Sequence, residues 1–290
     1  ALQQLINNVD TLTEQWDGSA IESDSILVIA EQGVGDEVMF ANCFNDLNGL
    51  GKPVTISCDP RLVTLFSRSF PFAHFIDKGT TLPRADIAVA AGSLPKALRP
   101  TKANFRGKAP YLRADKALTE KWNQRYSELN KPLTVGISWR GGVEQPMAGQ
   151  RSVELNALVA ALGNHVNVVN LQYGHCSEEL ASLKGGVVHD WPDAQPLHDL
   201  DNFAAQIAAL DLVVSVDNAT LHFAGALGVP TLALLPFNAE WRWLPGEDES
   251  YWYGDSVKLL RQTTLGDWSD VFAQLKNELQ AALVRGKTTT

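Results

Sequence analysis

The chain has 290 residues, enough for two α/β domains of ordinary size, and its 45% hydrophobic and 20% charged residues describe a globular protein with ample core. A net charge of −9 excludes a general nucleic-acid binder, because phosphate backbones demand a basic face, but leaves room for a local basic pocket around one phosphorylated ligand. Cys43, Cys58 and Cys176 are far apart, odd in number and without metal-ligand spacing, which reads as buried reduced thiols of a cytoplasmic protein. No signal peptide is visible, and no apolar run approaches the ~20 residues that span a bilayer. The chain opens at Ala1 without an initiator methionine, as a piece of a longer protein would.

Residues 1–20 read as a short helix closed by a turn at Asp17-Gly18. The apolar run from Ile26 to Ala30 has the character of a buried parallel strand and leads through Glu31-Gln32-Gly33-Val34-Gly35-Asp36 into a helix over 37–47. Strand, glycine loop and helix make the opening unit of a doubly wound sheet. Strands are expected at 54–57, 75–76 and 87–90, a helical piece at 61–66, a long loop over 92–110 and an amphipathic helix over 118–129. Asn130-Lys131-Pro132 breaks that helix, and the domain junction is placed there.

A second alternation follows, with strands at 133–139, 166–171, 187–188 (an edge), 212–216 and 231–235, and helices at 153–162, 178–183, 201–210 and 220–227. Strands alternating with helices at this spacing predict a mostly parallel sheet covered on both faces. A last helix spans 265–284, with Val271, Leu275, Leu279 and Leu283 on one face. The expected organisation is a first Rossmann-like domain over 1–130, a second over 131–264 and a C-terminal helix over 265–290. Two such domains bring the C-terminal ends of their sheets to one cleft, where open α/β sheets bind ligands.

Gly33 and Gly35 allow backbone N–H groups to approach a ligand, and Glu31 and Gln32 flank them on the same loop. The third glycine of a dinucleotide fingerprint is replaced by Val38, which disfavours a nicotinamide enzyme or an epimerase. Asp36 has two readings, a helix N-cap or a carboxylate facing the cleft that takes a proton from an attacking hydroxyl. In the second domain, Asp217-Asn218-Ala219-Thr220-Leu221-His222 joins a buried strand to a helix. Its N–H groups, the Thr220 hydroxyl and the His222 imidazole are candidates to hold a diphosphate, and a capped helix with a satisfied core histidine is the alternative. Arg140, Arg151 and Gln172 stand at strand ends or just beyond a flexible loop, where arginines pair with phosphate oxygens and an amide bonds a base or sugar. Asp199-Leu200-Asp201 spells a metal-binding DxD, but Asp201 is better explained as the cap of the helix after it, so no metal is expected. Trp241, Trp243, Trp252 and Tyr253 surround Arg242; they line a subsite by stacking or pack the core, and core packing is expected of at least two.

Taken in order, Trp16–Ser19, Glu31–Asp36, Pro110–Leu112, Trp139–Gly142, Arg151-Ser152, Asp199–Phe203, Asp211–Gly228, Trp241–Trp243, Trp252-Tyr253 and Arg261-Gln262 resemble the glycosyltransferase region that follows tetratricopeptide repeats in many bacterial proteins. That region is itself similar to heptosyltransferases of lipopolysaccharide synthesis. The resemblance covers nearly the whole chain from Trp16 to Trp268. It implies a GT-B fold and metal-independent inverting transfer, without a cofactor, from a nucleotide sugar to a protein or surface-glycan hydroxyl. It implies that Asp36 matches the proposed base, that Asp217 to His222 match the donor-phosphate segment, and that the last helix packs back on the first domain. It also implies an upstream tetratricopeptide module, although no repeat of that length is visible in the chain, and the segment 143–150 does not map onto heptosyltransferases. Closure of the two domains would exclude water from the reaction. The rival reading from another class is a non-catalytic module that keeps the cleft to bind a nucleotide, a sugar or a protein.

Overall fold

The computed structural model describes residues 14–16, 25–105, 110–141, 149–184, 188–194 and 196–288. The helix expected over 1–20 lies mostly outside these residues, as do Gly142 and most of the segment after it. Within them, Glu14–Gln15 form an edge strand, β1, instead of a helix.

The first sheet contains β1, β2 (Ile26–Ile29), β3 (Val54–Cys58), β4 (Ala73–Asp77) and β5 (Ile87–Ala90), all parallel, in the order β1-β5-β2-β3-β4. Every residue of β2 and β5 is buried, as continuous apolar strands in a two-sided sheet must be. The chain runs outward from β2 to β4 and then returns to place β5 on the other side of β2. The loop after β2 therefore opens at a switch point. The long loop expected over 92–110 instead contains a short helix, Leu94–Leu98, whose Leu94 is fully buried.

The second sheet has seven strands in the order β11-β12-β10-β9-β6-β7-β8. They are β6 (Thr134–Ser138), β7 (Asn167–Asn170), β8 (Val188–His189), β9 (Leu212–Val216), β10 (Thr231–Leu235), β11 (Glu249–Ser250) and β12 (Gly254–Arg261). All neighbours are parallel except the edge pair β11–β12. Its switch point lies between β6 and β9, so the loops after those two strands open together. The expectations for β9 and β10 match the structure residue for residue, whereas β11 and β12 are additions.

Two placements differ from the expected organisation. The helix Lys116–Ser127 packs on the helix Leu200–Ala208 of the second sheet: the Trp122 indole donates to Asn202 at 2.9 Å, and Arg125 grips Asp193 with two bonds of 2.8 and 2.9 Å. The crossing between halves therefore comes near Tyr111 and Leu112, whose N–H groups both bond Ala226 O, and not at residue 130. Among the described residues, the C-terminal helix, Ser269–Thr288, packs on the second sheet and not on the first domain. Val271, Leu275 and Leu279 join the core between the second sheet and the helix Leu155–Leu162. Its apolar face is the natural cover for strands that would otherwise be wet on one side.

The halves meet on an apolar seam. The helices Val34–Phe40 and Ala219–Leu227 cross there, and the core of the first domain runs without a break into one face of the second sheet. Phe40 meets Trp252 edge-on at 5.9 Å, and the Asn42 amide donates to Trp252 O at 2.6 Å. Parting the halves would re-expose such side chains at roughly 1.5–3 kcal/mol each, so wide opening of the expected hinge is costly. Among the described residues no helix is long and apolar enough to cross a membrane.

Gly35 sets how close the crossing helices come, since a Cβ there would lie 3.1 Å from His222 Cδ2 and 3.2 Å from Ala219 Cα. Its glycine therefore serves helix packing more directly than ligand approach. Gly35→Val should destabilise the chain by about 1–3 kcal/mol through overpacking, seen as a lower urea midpoint at unchanged slope. An unchanged midpoint would show that the seam does not need this approach.

Candidate functional site

The switch-point loops of both sheets line one cleft of about 520 Å³. Gln32 to Asp36 and Arg61 come from the first domain, and Arg151, Tyr173, Asp217 to Ala219, His222 and Glu240 to Arg242 from the second. Leu197 and Trp241 stand at its mouth, 41% and 60% exposed.

Asp36 is not the helix cap. Gly33 occupies that position, and Asp36 sits in the first turn, where its carboxylate reaches back to the Gly33 N–H as the third residue of a capping box does. Its other contact crosses the seam: Arg242 Nη2 lies 2.9 Å from Asp36 Oδ1. Burial raises the Asp36 pKa above the usual carboxylate value, and Arg242 opposes that rise. Next to it, the buried Glu37 anchors the loop by accepting from Lys78 at 2.7 Å and from Asp59 N–H at 2.8 Å. Glu31 lies outside the cleft, over Gly92.

Asp217 directly follows β9 and is 1% exposed. Its two oxygens lie 3.7 Å from Arg242 Nη1 and 3.8 Å from Arg151 Nη1, and neither accepts a hydrogen bond from the described residues, although the Trp243 indole N–H faces the same carboxylate. Burial raises its pKa too. Arg151 also lies 3.5 Å from Glu240. The cleft thus gathers three carboxylates, Asp36, Asp217 and Glu240, around the guanidinium groups of Arg151 and Arg242.

Asn218 caps the helix Ala219–Leu227, its side chain accepting from Thr220 N–H at 3.0 Å while its amide donates to Ser138 Oγ and Arg140 O. The Thr220 hydroxyl turns inward to Leu171 O at 3.3 Å, and Thr220 does not line the cleft. Nor does Gln172, whose Oε1 accepts from the N–H groups of Trp139 and Arg140 and so ties the ends of β6 and β7 together. Arg140 is drawn aside to Glu179, at 3.0 Å, and to His175 O, at 2.8 Å. Each of these three is held by a polar partner of the protein and does not line the cleft.

His222 is buried, stacked on Trp243 at 5.7 Å, and its pKa is pushed well below the ordinary value by burial, so the ring is neutral. The Tyr111 hydroxyl donates to Val38 O at 2.9 Å. The Tyr253 hydroxyl lies 2.6 Å from His222 Nδ1, and the neutral ring has one donor and one acceptor nitrogen.

Asp201 is also reassigned. Asp199 caps the helix Leu200–Ala208 by accepting from Asn202 N–H, and Asp201 pairs with Arg68, so both carboxylates of the DxD spelling have other partners. Of the aromatic group, Trp243, Trp252 and Tyr253 are core and Trp241 is exposed. Arg242 is the residue the sequence reading leaves without a role, since it is spelled inside an aromatic run far from any glycine loop.

No family model matches the chain. Protein FlbA of Caulobacter vibrioides is 30% identical over 92% of this chain, which spans about half, 48%, of that protein's length. Among solved structures, the ADP-heptose lipopolysaccharide heptosyltransferase II of E. coli aligns at TM-score 0.62 and 16% identity, covering 91% of this chain and 99% of that one. A glycosyl transferase of family 9 from Veillonella parvula aligns at 0.57 and 12% over 94% and 100%. E. coli heptosyltransferase WaaC with ADP aligns at 0.52 and 11% over 91% and 98%. The chain has the GT-B fold of these proteins.

Because the Asp217 pKa is raised, the folded state holds its proton more tightly than the unfolded chain. Its ionisation therefore costs stability as pH rises above the unfolded carboxylate value. Asp217→Asn should raise the melting temperature at pH 7, by about 2–4 °C for each kcal/mol relieved, and leave it nearly unchanged at the acid end of the folded range. A lower melting temperature at pH 7 would mean that the two arginines need this charge more than its burial costs.

Proposed function

We propose that the chain is a glycosyltransferase that moves a sugar from a nucleotide-diphosphate donor to a hydroxyl acceptor, with inversion and without a metal. The observation that carries this reading is that a half-buried carboxylate from the first domain, Asp36, and a helix N-terminus with two arginines from the second, Arg151 and Arg242, line one cleft. E. coli WaaC, which shares the fold, is solved with ADP and with ADP-2-deoxy-2-fluoro heptose, which supports a nucleotide-sugar donor here.

In this mechanism the donor diphosphate lies against the N–H groups at the start of the helix Ala219–Leu227 and against Arg151. The acceptor hydroxyl enters over Gln32 and Gly33, and its oxygen attacks the anomeric carbon from the side opposite the leaving group. As that bond forms, the bond from the anomeric carbon to the phosphate oxygen breaks. The hydroxyl proton passes to Asp36, and the nucleoside diphosphate departs with the electron pair. A carboxylate whose pKa burial has raised is a stronger base than an exposed one and suits this step near neutral pH. His222, whose neutral ring lines the same cleft, orients a sugar or acceptor hydroxyl. The acceptor is a hydroxyl of a protein or a surface glycan.

A thermal-shift panel of UDP, GDP, ADP and CMP with their sugars identifies the donor, since a ligand at ~100 times its Kd stabilises by about 2.7 kcal/mol. With that donor, Asp36→Asn should lower kcat by about 10²–10⁴-fold while the donor still binds. Undiminished transfer by the variant would remove Asp36 from the role of base, and silence across the panel would count against a donor site altogether.

A further inference from the structure

Resting on the reading of the cleft as a donor site, we propose that Arg242 is a shared counter-ion that passes from Asp36 to the donor's diphosphate, so that the base is released only when the donor is bound. Arg242 approaches the cleft from the loop after β10 and spends its guanidinium on two carboxylates of different domains. Nη2 makes the 2.9 Å bond to Asp36, Nη1 stays 3.7 Å from Asp217, and Nε is buried without a hydrogen-bond partner among the described residues. The fork is therefore only partly satisfied, and it lies beside the start of the helix Ala219–Leu227.

A diphosphate at that helix start offers the fork what Asp217 does not, oxygens free to move to bonding distance in the plane of the guanidinium. Paired phosphate oxygens match this geometry, and arginine exchanges one planar anion for another without changing its own charge. While Arg242 stays on Asp36, one carboxylate oxygen is occupied and its basicity is held down. Once Arg242 turns to the diphosphate, that oxygen is free to accept the proton of an acceptor hydroxyl. The other charged groups facing Asp36 are Glu240, which opposes its ionisation, and Arg151, which favours it but already lies between Asp217 and Glu240. His222, packed against Gly35 on the same side, is neutral and supplies no replacement charge. Arg242 is thus the group whose movement changes Asp36 most.

The arrangement also guards the reaction order. Without a donor the base is tied down and the acceptor hydroxyl is not activated. With a donor in place, the cation that leaves Asp36 is the one that neutralises charge on the leaving group. One side chain then serves both ends of the displacement.

The test is a double-mutant cycle on binding of inorganic pyrophosphate, followed by titration calorimetry in metal-free buffer with the full chain. Arg242→Gln should weaken pyrophosphate by about tenfold or more, with Arg242→Lys intermediate. Asp36→Asn should tighten it, because a competitor for the fork is gone, and this gain should be smaller by a factor of about three or more in the Arg242→Gln background. The lysine variant keeps the measurement decisive if glutamine compromises folding. If Asp36→Asn tightens pyrophosphate equally in both backgrounds, the carboxylate acts only as a repulsive charge and the hand-over is overturned. Pyrophosphate that binds with full affinity to Arg242→Gln overturns it as well. A chain that binds no pyrophosphate in any form overturns both this proposal and the donor site, whereas binding without coupling overturns this proposal alone.

Discussion

Two carboxylates from different domains, the half-buried Asp36 and the buried Asp217, lose water to the same cleft, and the cost of that desolvation shapes the whole front of the molecule. Desolvating an ionised carboxylate costs several kcal/mol unless charge or hydrogen bonds compensate it. Asp36 is compensated by Arg242 and by the Gly33 N–H, but Asp217 has guanidinium groups only at 3.7 and 3.8 Å. A carboxylate left this way lowers stability, and it persists where the surrounding structure is rigid enough to impose it. That rigidity comes from behind. The seam of Phe40, Trp252, Tyr253 and the helix crossing at Gly35 holds the two halves at a separation where Arg242 reaches both charges.

His222 and Tyr253, in contact at 2.6 Å, and Tyr111, stacked on Tyr253 and donating to Val38 O at 2.9 Å, link that seam to the cleft. A neutral histidine fits here on electrostatic grounds as well. Arg242 already supplies positive charge nearby, and an imidazolium packed between Trp243 and Gly35 would be both desolvated and repelled.

Much of the fold was legible because buried parallel strands leave continuous apolar runs. β9 and β10, flanked by a capped helix and a glycine stop, are read residue for residue. β12 is not, since as the partner of an edge strand it alternates exposed Asp255 and Lys258 with buried Val257 and Leu259 and follows an aromatic cluster that masks its start. The domain partition also misleads. Pro132 breaks the chain locally, but the helix before it docks by Trp122 and Tyr126 on the second half, and tertiary packing overrides the local signal. At the site, sequence order identifies the strand-end loops and hence Asp36, Arg151, Asp217 and His222. It does not separate Asn218, Ala219 and Thr220 by direction, because consecutive residues at a helix start point a side chain, a backbone N–H or neither at the cleft. Thr220 and Gln172 turn inward for bonds that only the folded neighbour supplies.

Arg242 is the sharpest case, and the reason is physical. A glycine loop or a capped helix announces itself through backbone requirements, and those are local. A side chain that earns its place by bridging two domains has no local requirement beyond length and charge. Its partners, Asp36 and Asp217, are 206 and 25 positions away. What marks it in the structure is the mismatch around it: three carboxylates share two guanidinium groups, and one of those groups serves both domains. Adding a diphosphate to such a place is favourable only if cations already present change partners. The cleft is therefore better described as an ion-pair network prepared for exchange than as a basic pocket awaiting an anion, and the chain's overall negative charge is no obstacle to it.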